Sequence, residues 1–97
     1  MDIDKKLENG CLTLVVSGRL DTNTSPDLES EVKLDGVNEV VFDFAGLEYI
    51  SSAGLRVLMG AQKSMMACGG KVKVLNPNSM VKGVFDMTGL SGIFEIA

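Results

Sequence analysis

Between Val40 and Gly70 the spacing of apolar side chains changes from that of a strand to that of a helix. Val40, Phe42 and Phe44 alternate with Val41 and Asp43, a β-branched and aromatic run that predicts a mostly buried strand. Further on, Leu55, Leu58 and Met59 recur at helical spacing, continued more weakly by Met65 and Met66, with Arg56, Gln62 and Lys63 at polar positions. The change of period falls at Ser51-Ser52, so a helix starts there. Gly69-Gly70 supplies the stop, because glycine takes up the left-handed conformation of a helix C-terminus without a Cβ clash.

Upstream, Ile3 to Leu7 is a weak strand candidate, and Asn9-Gly10 predicts a tight hairpin into a returning strand from Cys11 to Ser17. In that strand Leu12, Leu14 and Val16 point one way and Thr13, Val15 and Ser17 the other, and Gly18 ends or bulges it. Ser25-Pro26 reads as an N-cap and first helical residue, predicting a short helix from Pro26 to about Lys33 with Leu28 and Val32 toward the sheet. Asp35-Gly36 breaks it, and Val37 leads into the central strand. Beyond Gly70, Lys71 to Leu75 predicts a strand with Val72 and Val74 on one face and Lys71 and Lys73 on the other, an edge or solvent signal. Asn76-Pro77 turns the chain, Asn78 or Ser79 caps a third helix carrying Val81, Val84 and Phe85, Thr88-Gly89 ends it, and Ile93 to Ile96 is a final short strand.

Strands alternating with helices require crossover connections and a largely parallel sheet, to which the initial hairpin adds an antiparallel pair. The prediction is a mixed α/β fold of four to five strands and three helices in one domain spanning residues 1–97. Leu14, Val16, Val40, Phe42, Leu55, Leu58, Val72, Val74 and Phe85 are the expected core. Ligands of such sheets approach the loops after the strands' carboxyl ends, here Arg19 to Thr24, Gly46 to Ser52 and Asn76 to Asn78.

Composition narrows the chemistry. The 97 residues are 45% hydrophobic and 23% charged, sufficient for one modest core. Met1 to Gly10 is polar and no stretch approaches the roughly 20 apolar residues that span a bilayer, so neither a secretory signal nor membrane insertion is expected, and the default compartment is the cytoplasm. Cys11 and Cys68 have no metal-ligand spacing and read as packing residues. A net charge of −4 with nine scattered basic residues argues against direct nucleic-acid binding. The absence of histidine excludes Ser-His and Cys-His catalysis and disfavours a zinc site. Asp21, Asp43 and Glu48 are carboxylates that fit turns or caps better than an acid–base pair. Gly54 and Gly60 lie inside the helix without the lysine of a phosphate-binding loop, and are read as permitting close packing on the sheet. No catalytic residue, metal site or cofactor is expected.

The serine pair has two readings. A hydroxyl at a helix start caps a free N–H and contributes about 1 kcal/mol. Alternatively, one hydroxyl is exposed at the positive end of the helix dipole, where unpaired amides tolerate a phosphate. The spacing alone does not separate them.

The segments GRLDTNTSPDL, VVFDFAGLEYISSAGLRVL, GGKVKVL and VFDMTGL, in this order, resemble the STAS-domain family of bacterial anti-sigma factor antagonists over nearly the whole chain. The resemblance implies a protein that binds an anti-sigma factor serine kinase, is inactivated when that kinase phosphorylates a serine at this helix N-terminus, and is restored by a PP2C-type phosphatase, so regulating sigma-factor-dependent transcription. The implied acceptor is Ser52, with Ser51 as the alternative because Ser51 stands where many members carry aspartate. The family's characteristic aspartate falls on Asp21, and the implied partner contacts are Asp21, Thr24, Ser51, Ser52, Gly54 and Arg56. Many relatives continue into a C-terminal helix, so a contact made by that helix is expected to be missing here. Two other functions are weighed against this one: a STAS subunit that is never phosphorylated, serving a lipid-transport ATPase or a stress-sensing complex, and a small-molecule or nucleotide-binding module.

Overall fold

The computed structural model describes residues 1–97. In chain order the elements are β1 (Asp2–Glu8), β2 (Cys11–Leu20), α1 (Ser25–Glu31), β3 (Glu39–Ile50), α2 (Ser52–Cys68), β4 (Lys71–Leu75), α3 (Ser79–Thr88), a short 3-10 turn (Leu90–Gly92) and β5 (Glu95–Ile96). They form one five-stranded sheet in the order β1-β2-β3-β4-β5, in which β1 and β2 are antiparallel and every later pair is parallel. The hairpin turns at Asn9-Gly10, both at positive φ, as that dipeptide allows. The predicted mixed sheet, three helices and N-terminal hairpin are all present.

Because each strand lies beside its predecessor, the three crossovers all advance in the same direction. Right-handed crossovers of that kind lay all their helices on one face of the sheet. The burial pattern agrees: Leu12, Leu14, Val16, Val40, Phe42, Phe44, Val72 and Val74 meet residues of all three helices in one core of 22 buried residues. All nine residues expected in the core belong to it. The strand order never reverses, so the crevice that a reversal opens between neighbouring crossovers is absent, and the loops at the carboxyl ends form a surface instead. Lys71 and Lys73 face away from the helices and pair with Glu39 at 3.9 Å and Glu95 at 3.8 Å. Their strand is covered along part of its outer edge by the two residues of β5.

Four expectations are corrected. First, β2 and β3 run on to Leu20 and Ile50, so Arg19 and Gly46 to Ile50 are strand rather than loop. Pairing passes from Val15↔Asp43 to Ser17↔Gly46, and from Gly18↔Leu47 to Arg19↔Tyr49, so β3 carries an extra residue at each of two bulges. Each bulge breaks the period of two, and the buried positions become Phe44, Leu47 and Ile50. Second, Thr24 occupies the cap position of α1, and Ser25 is buried inside the helix. Third, the buried stripe of α2 is Gly54, Leu55, Val57, Leu58, Ala61 and Met65, which turns Met59 and Met66 outward. Fourth, Cys68 is exposed rather than packed, and β5 begins two residues beyond Ile93.

Candidate functional site

The carboxyl ends of β2 and β3 stop side by side, and the backbone N–H of Ser51 donates to the carbonyl of Leu20 at 2.9 Å. That bond brings the Asp21 turn and the start of α2 together. Gly54 makes the approach possible. A Cβ there would lie 2.7 Å from Leu20 Cγ and 2.9 Å from Ile50 Cγ1, well inside the 3.5–4.0 Å at which carbon atoms rest. At Gly60 no atom lies within 4 Å of the equivalent position, so close packing accounts for Gly54 and not for Gly60.

The two serines have separate environments. Ser51 is extended, half-buried, and the N-cap of α2, its hydroxyl accepting from the Gly54 N–H at a long 3.4 Å. Its carbonyl accepts the first helical bond, from Leu55 N–H at 3.0 Å. Ser52 is the first helical residue and is exposed. The first-turn amides of Ser52 and Ala53 precede the helical hydrogen-bond ladder and point toward that end. With no acidic residue in the first turn, the positive end of the helix dipole is uncompensated from within the helix. Arg56, one turn on, is exposed.

Asp21 organises the neighbouring turn. One carboxylate oxygen accepts from the N–H groups of Asn23 at 2.9 Å and Thr24 at 3.1 Å. The Thr24 hydroxyl donates to the carbonyl of Arg19 at 2.8 Å and accepts from the Asp21 N–H at 2.9 Å. The Ser25 hydroxyl donates to the Asp21 carbonyl at 2.5 Å. The Thr24 N–H, above all, holds the Asp21 carboxyl below the usual aspartate range. The Asn23 N–H, the Thr24 hydroxyl and the Arg19 guanidinium add to this, against the opposing effect of desolvation. Thr24 thus closes a side-chain clamp over the turn instead of capping α1.

Arg19 and Tyr49, cross-strand partners after the second bulge, form a further pair. The guanidinium lies 4.3 Å from the centre of the Tyr49 ring and 4.0 Å from Asp21 Oδ2. Sequence periodicity does not reveal this pair, because the bulge that sets the Tyr49 side chain opposite Arg19 depends on strand pairing. The third loop joins through Asn78, whose amide donates to the Leu47 carbonyl at 2.9 Å while its Oδ1 caps α3 at Val81 N–H, 2.8 Å. Asp43 accepts from Ala45 N–H and from the Asn76 amide, and Glu48 is exposed. Asp21 therefore holds a turn as expected, whereas Asp43 and Glu48 are strand residues of β3, Asp43 at its first bulge.

A two-layer sheet of this order, with a capped helix start beside an Asp-Thr turn, defines a STAS-type architecture. The STAS domain family model matches residues 2–97, and the chain belongs to that family. Among related proteins it is 32% identical to BtrV of Bordetella bronchiseptica over 92% of this chain and 79% of that one. It is 28% identical to the anti-sigma F factor antagonist of Paenibacillus polymyxa, over 99% and 86% of the two chains. Among solved structures it superposes on the anti-sigma factor antagonist SpoIIAA in its unphosphorylated form with a TM-score of 0.87 at 20% identity, over 99% of this chain and 88% of that one. The phosphorylated form of SpoIIAA from Bacillus matches with a TM-score of 0.80 at 19% identity, over 99% and 91%. No helix is long and apolar enough to cross a membrane.

Proposed function

We propose that this protein is an anti-sigma factor antagonist that binds an anti-sigma factor with serine kinase activity and is switched off by phosphorylation of Ser52. The observation that carries the reading is the division of labour in the serine pair. Ser51 is half-buried and serves as the cap, whereas Ser52 is exposed as the first residue of a 17-residue helix, beside the Asp21 turn. The relative from Paenibacillus polymyxa is an anti-sigma F factor antagonist, which supports a regulatory binding module over an enzyme. Asp21, Thr24, Ser51, Ser52, Gly54 and Arg56 would form the partner surface, the glycine by allowing the approach of the helix and the others by their exposure or their hold on the turn.

The switch follows from electrostatics. Transfer of the γ-phosphoryl group from ATP forms a bond from phosphorus to Ser52 Oγ, breaks the bond to the ADP leaving group, and passes the hydroxyl proton to a base on the kinase. The product carries about −1.5 to −2 charge. At the N-terminus of α2 the free amides and the dipole tolerate it, so the fold is retained. In a closely packed interface the same group brings bulk and desolvation, and a penalty of about 3 kcal/mol weakens association roughly a hundredfold. A PP2C-type phosphatase would restore binding by hydrolysing the ester.

Incubation with ATP and a cognate GHKL-type anti-sigma kinase, followed by intact-mass and phosphopeptide analysis, tests the proposal. One phosphate on Ser52, lost in Ser52→Ala while kinase binding persists, is the expected result. Phosphate on Ser51 would reassign the acceptor. Phosphate on neither serine, with the kinase active on another substrate, would leave an unphosphorylated STAS binding subunit.

A further inference from the structure

Ser52, Arg56, Met59, Lys63 and Met66 succeed one another along α2 at steps of four, three, four and three, and all five are exposed. Such spacing keeps side chains on a single stripe of a helix. At 1.5 Å per residue the stripe runs about 21 Å from the serine toward the far end of α2. Met59 is 41% exposed, Met66 70% and Ile93, beside them, 46%. These three residues, with Gly60, Arg56 and Lys63, line an open groove of about 760 Å³. The helix sequence SAGLRVLMGAQKSMMAC holds two cations and no carboxylate, in a chain whose net charge is −4.

We infer that this outer stripe of α2 is a docking surface for an amphipathic helix of the partner protein, apolar along one face and flanked by carboxylates. Met59 and Met66, two turns apart, with Ile93 beside them, supply the apolar anchors that a helix lying in a groove requires. Methionine side chains, unbranched and polarisable, adapt to such a contact. The basic edge supplied by Arg56 and Lys63 selects acidic flanks and disfavours basic ones. The same cations disfavour a second copy of this chain as the occupant, since a two-fold contact through the stripe would set Arg56 and Lys63 of one copy against those of the other. The inference takes its partner from the Ser52 reading, because the stripe begins at that serine and extends the surface along the helix. Arg56, one turn away, is the first cation that a phosphate on Ser52 would draw from the partner's carboxylates.

Two synthetic helical peptides of about 18 residues, long enough to hold helical structure, serve as probes. They have the same leucine face, flanked by glutamates in one and by lysines in the other. The readout is the methyl NMR spectrum of the protein's methionines and isoleucines. The glutamate peptide should shift the Met59, Met66 and Ile93 methyls, saturating below about 1 mM, and leave Met80 and Met87, exposed on α3, unmoved. Lys63→Glu should weaken binding about tenfold. Gly60→Leu should abolish it without lowering the thermal midpoint, because nothing lies within 4 Å of the new Cβ and leucine favours the helix over glycine. No shift with the glutamate peptide, equal shifts with both peptides, equal shifts at Met80 and Met87, or binding unchanged in both variants would overturn the inference. Methyl shifts that depend on protein concentration alone would assign the groove to a second copy and overturn it equally. The phosphorylation assay is independent of these spectra: its failure with the methyl shifts intact removes the Ser52 reading alone, and the reverse removes the groove alone.

Discussion

Two glycines on one helix offer a controlled measurement of the packing that holds the candidate site together. Replacing either by alanine raises intrinsic helix propensity by about 0.8–1.0 kcal/mol. At Gly60 this gain stands alone, because no atom lies within 4 Å of the added carbon. At Gly54 the same carbon lies 2.7 Å from Leu20 Cγ and 2.9 Å from both Leu20 Cδ2 and Ile50 Cγ1, short of ordinary carbon contact by roughly 0.6–1.3 Å. Leu20 is 0% and Ile50 2% exposed, so neither side chain can swing into solvent, and the relief must come from the backbone of α2 or of the strand ends. Overpacking of this kind costs about 1–3 kcal/mol, which the propensity gain reduces to a net loss of about 0–2 kcal/mol. Gly60→Ala should therefore be more stable than the parent and Gly54→Ala equal or less stable, with about 1–3 kcal/mol between the two variants. For a chain of this length each kcal/mol moves the thermal midpoint by about 4–8 °C, so calorimetry and urea titration both resolve the difference. Equal stabilisation by the two substitutions, within about 0.3 kcal/mol, would refute the claim that Gly54 is required by close approach.

Phe42→Ala should lose about 3–5 kcal/mol by urea denaturation, since Phe42 is fully buried and packs against Phe44 with the ring centres 6.0 Å apart and the planes tilted by 40°. Ser51→Ala should cost less than the usual cap, below about 1 kcal/mol, because the capping bond is long at 3.4 Å. Asp21→Asn should lower the urea midpoint at neutral pH. Because the folded carboxyl titrates below its ordinary value, its contribution is fully present above the unfolded-state pKa and is lost as the pH falls through the folded one. Parent and variant midpoints should therefore converge on acidification, and a gap that persists unchanged at the acid end would contradict the turn-holding role of the carboxylate. Ser52→Asp should weaken kinase binding while leaving the thermal midpoint close to that of the parent, because the first turn of α2 accepts negative charge; calorimetric titration with the kinase measures the first effect.

Local signals sufficed where one element's chemistry determined the outcome. The change of period at Ser51-Ser52, the left-handed stop at Gly69 and the Asn78 cap are each decided within a few residues, and the structure places them where they were expected. The long β3 was obscured because its two bulges exist only through pairing with β2. Past Phe44 the alternation that marks a strand is broken by residues that only the neighbouring strand can accommodate. Met59 and Met66 were grouped with the apolar face of α2 because hydrophobicity alone does not distinguish a buried methionine from an exposed one. Their true orientation emerges once Val57 and Ala61 turn inward. The start of α1 falls one residue earlier than expected, at Thr24 rather than Ser25, and the Thr24 side chain does not cap it because Asp21 recruits Thr24 into its own turn, a competition between side-chain bonds that cap preferences do not encode.

The sequential order of the strands also bears on how the chain reaches its native state. Residues 21–38, 51–70 and 76–94 bridge the three parallel pairs, about twenty residues each, so every closure costs nearly the same entropy and none must wait for a distant part of the chain. Such short closures keep contacts local for a parallel sheet, which favours folding faster than the long-range pairings of an all-β domain allow. Each strand can add to the edge its predecessor has just completed. As a nascent chain leaves the ribosome, the segment from Cys11 to Cys68 already contains β2, α1, β3 and α2. The Asp21 turn and the serine pair have therefore both emerged before the last strands that finish the sheet.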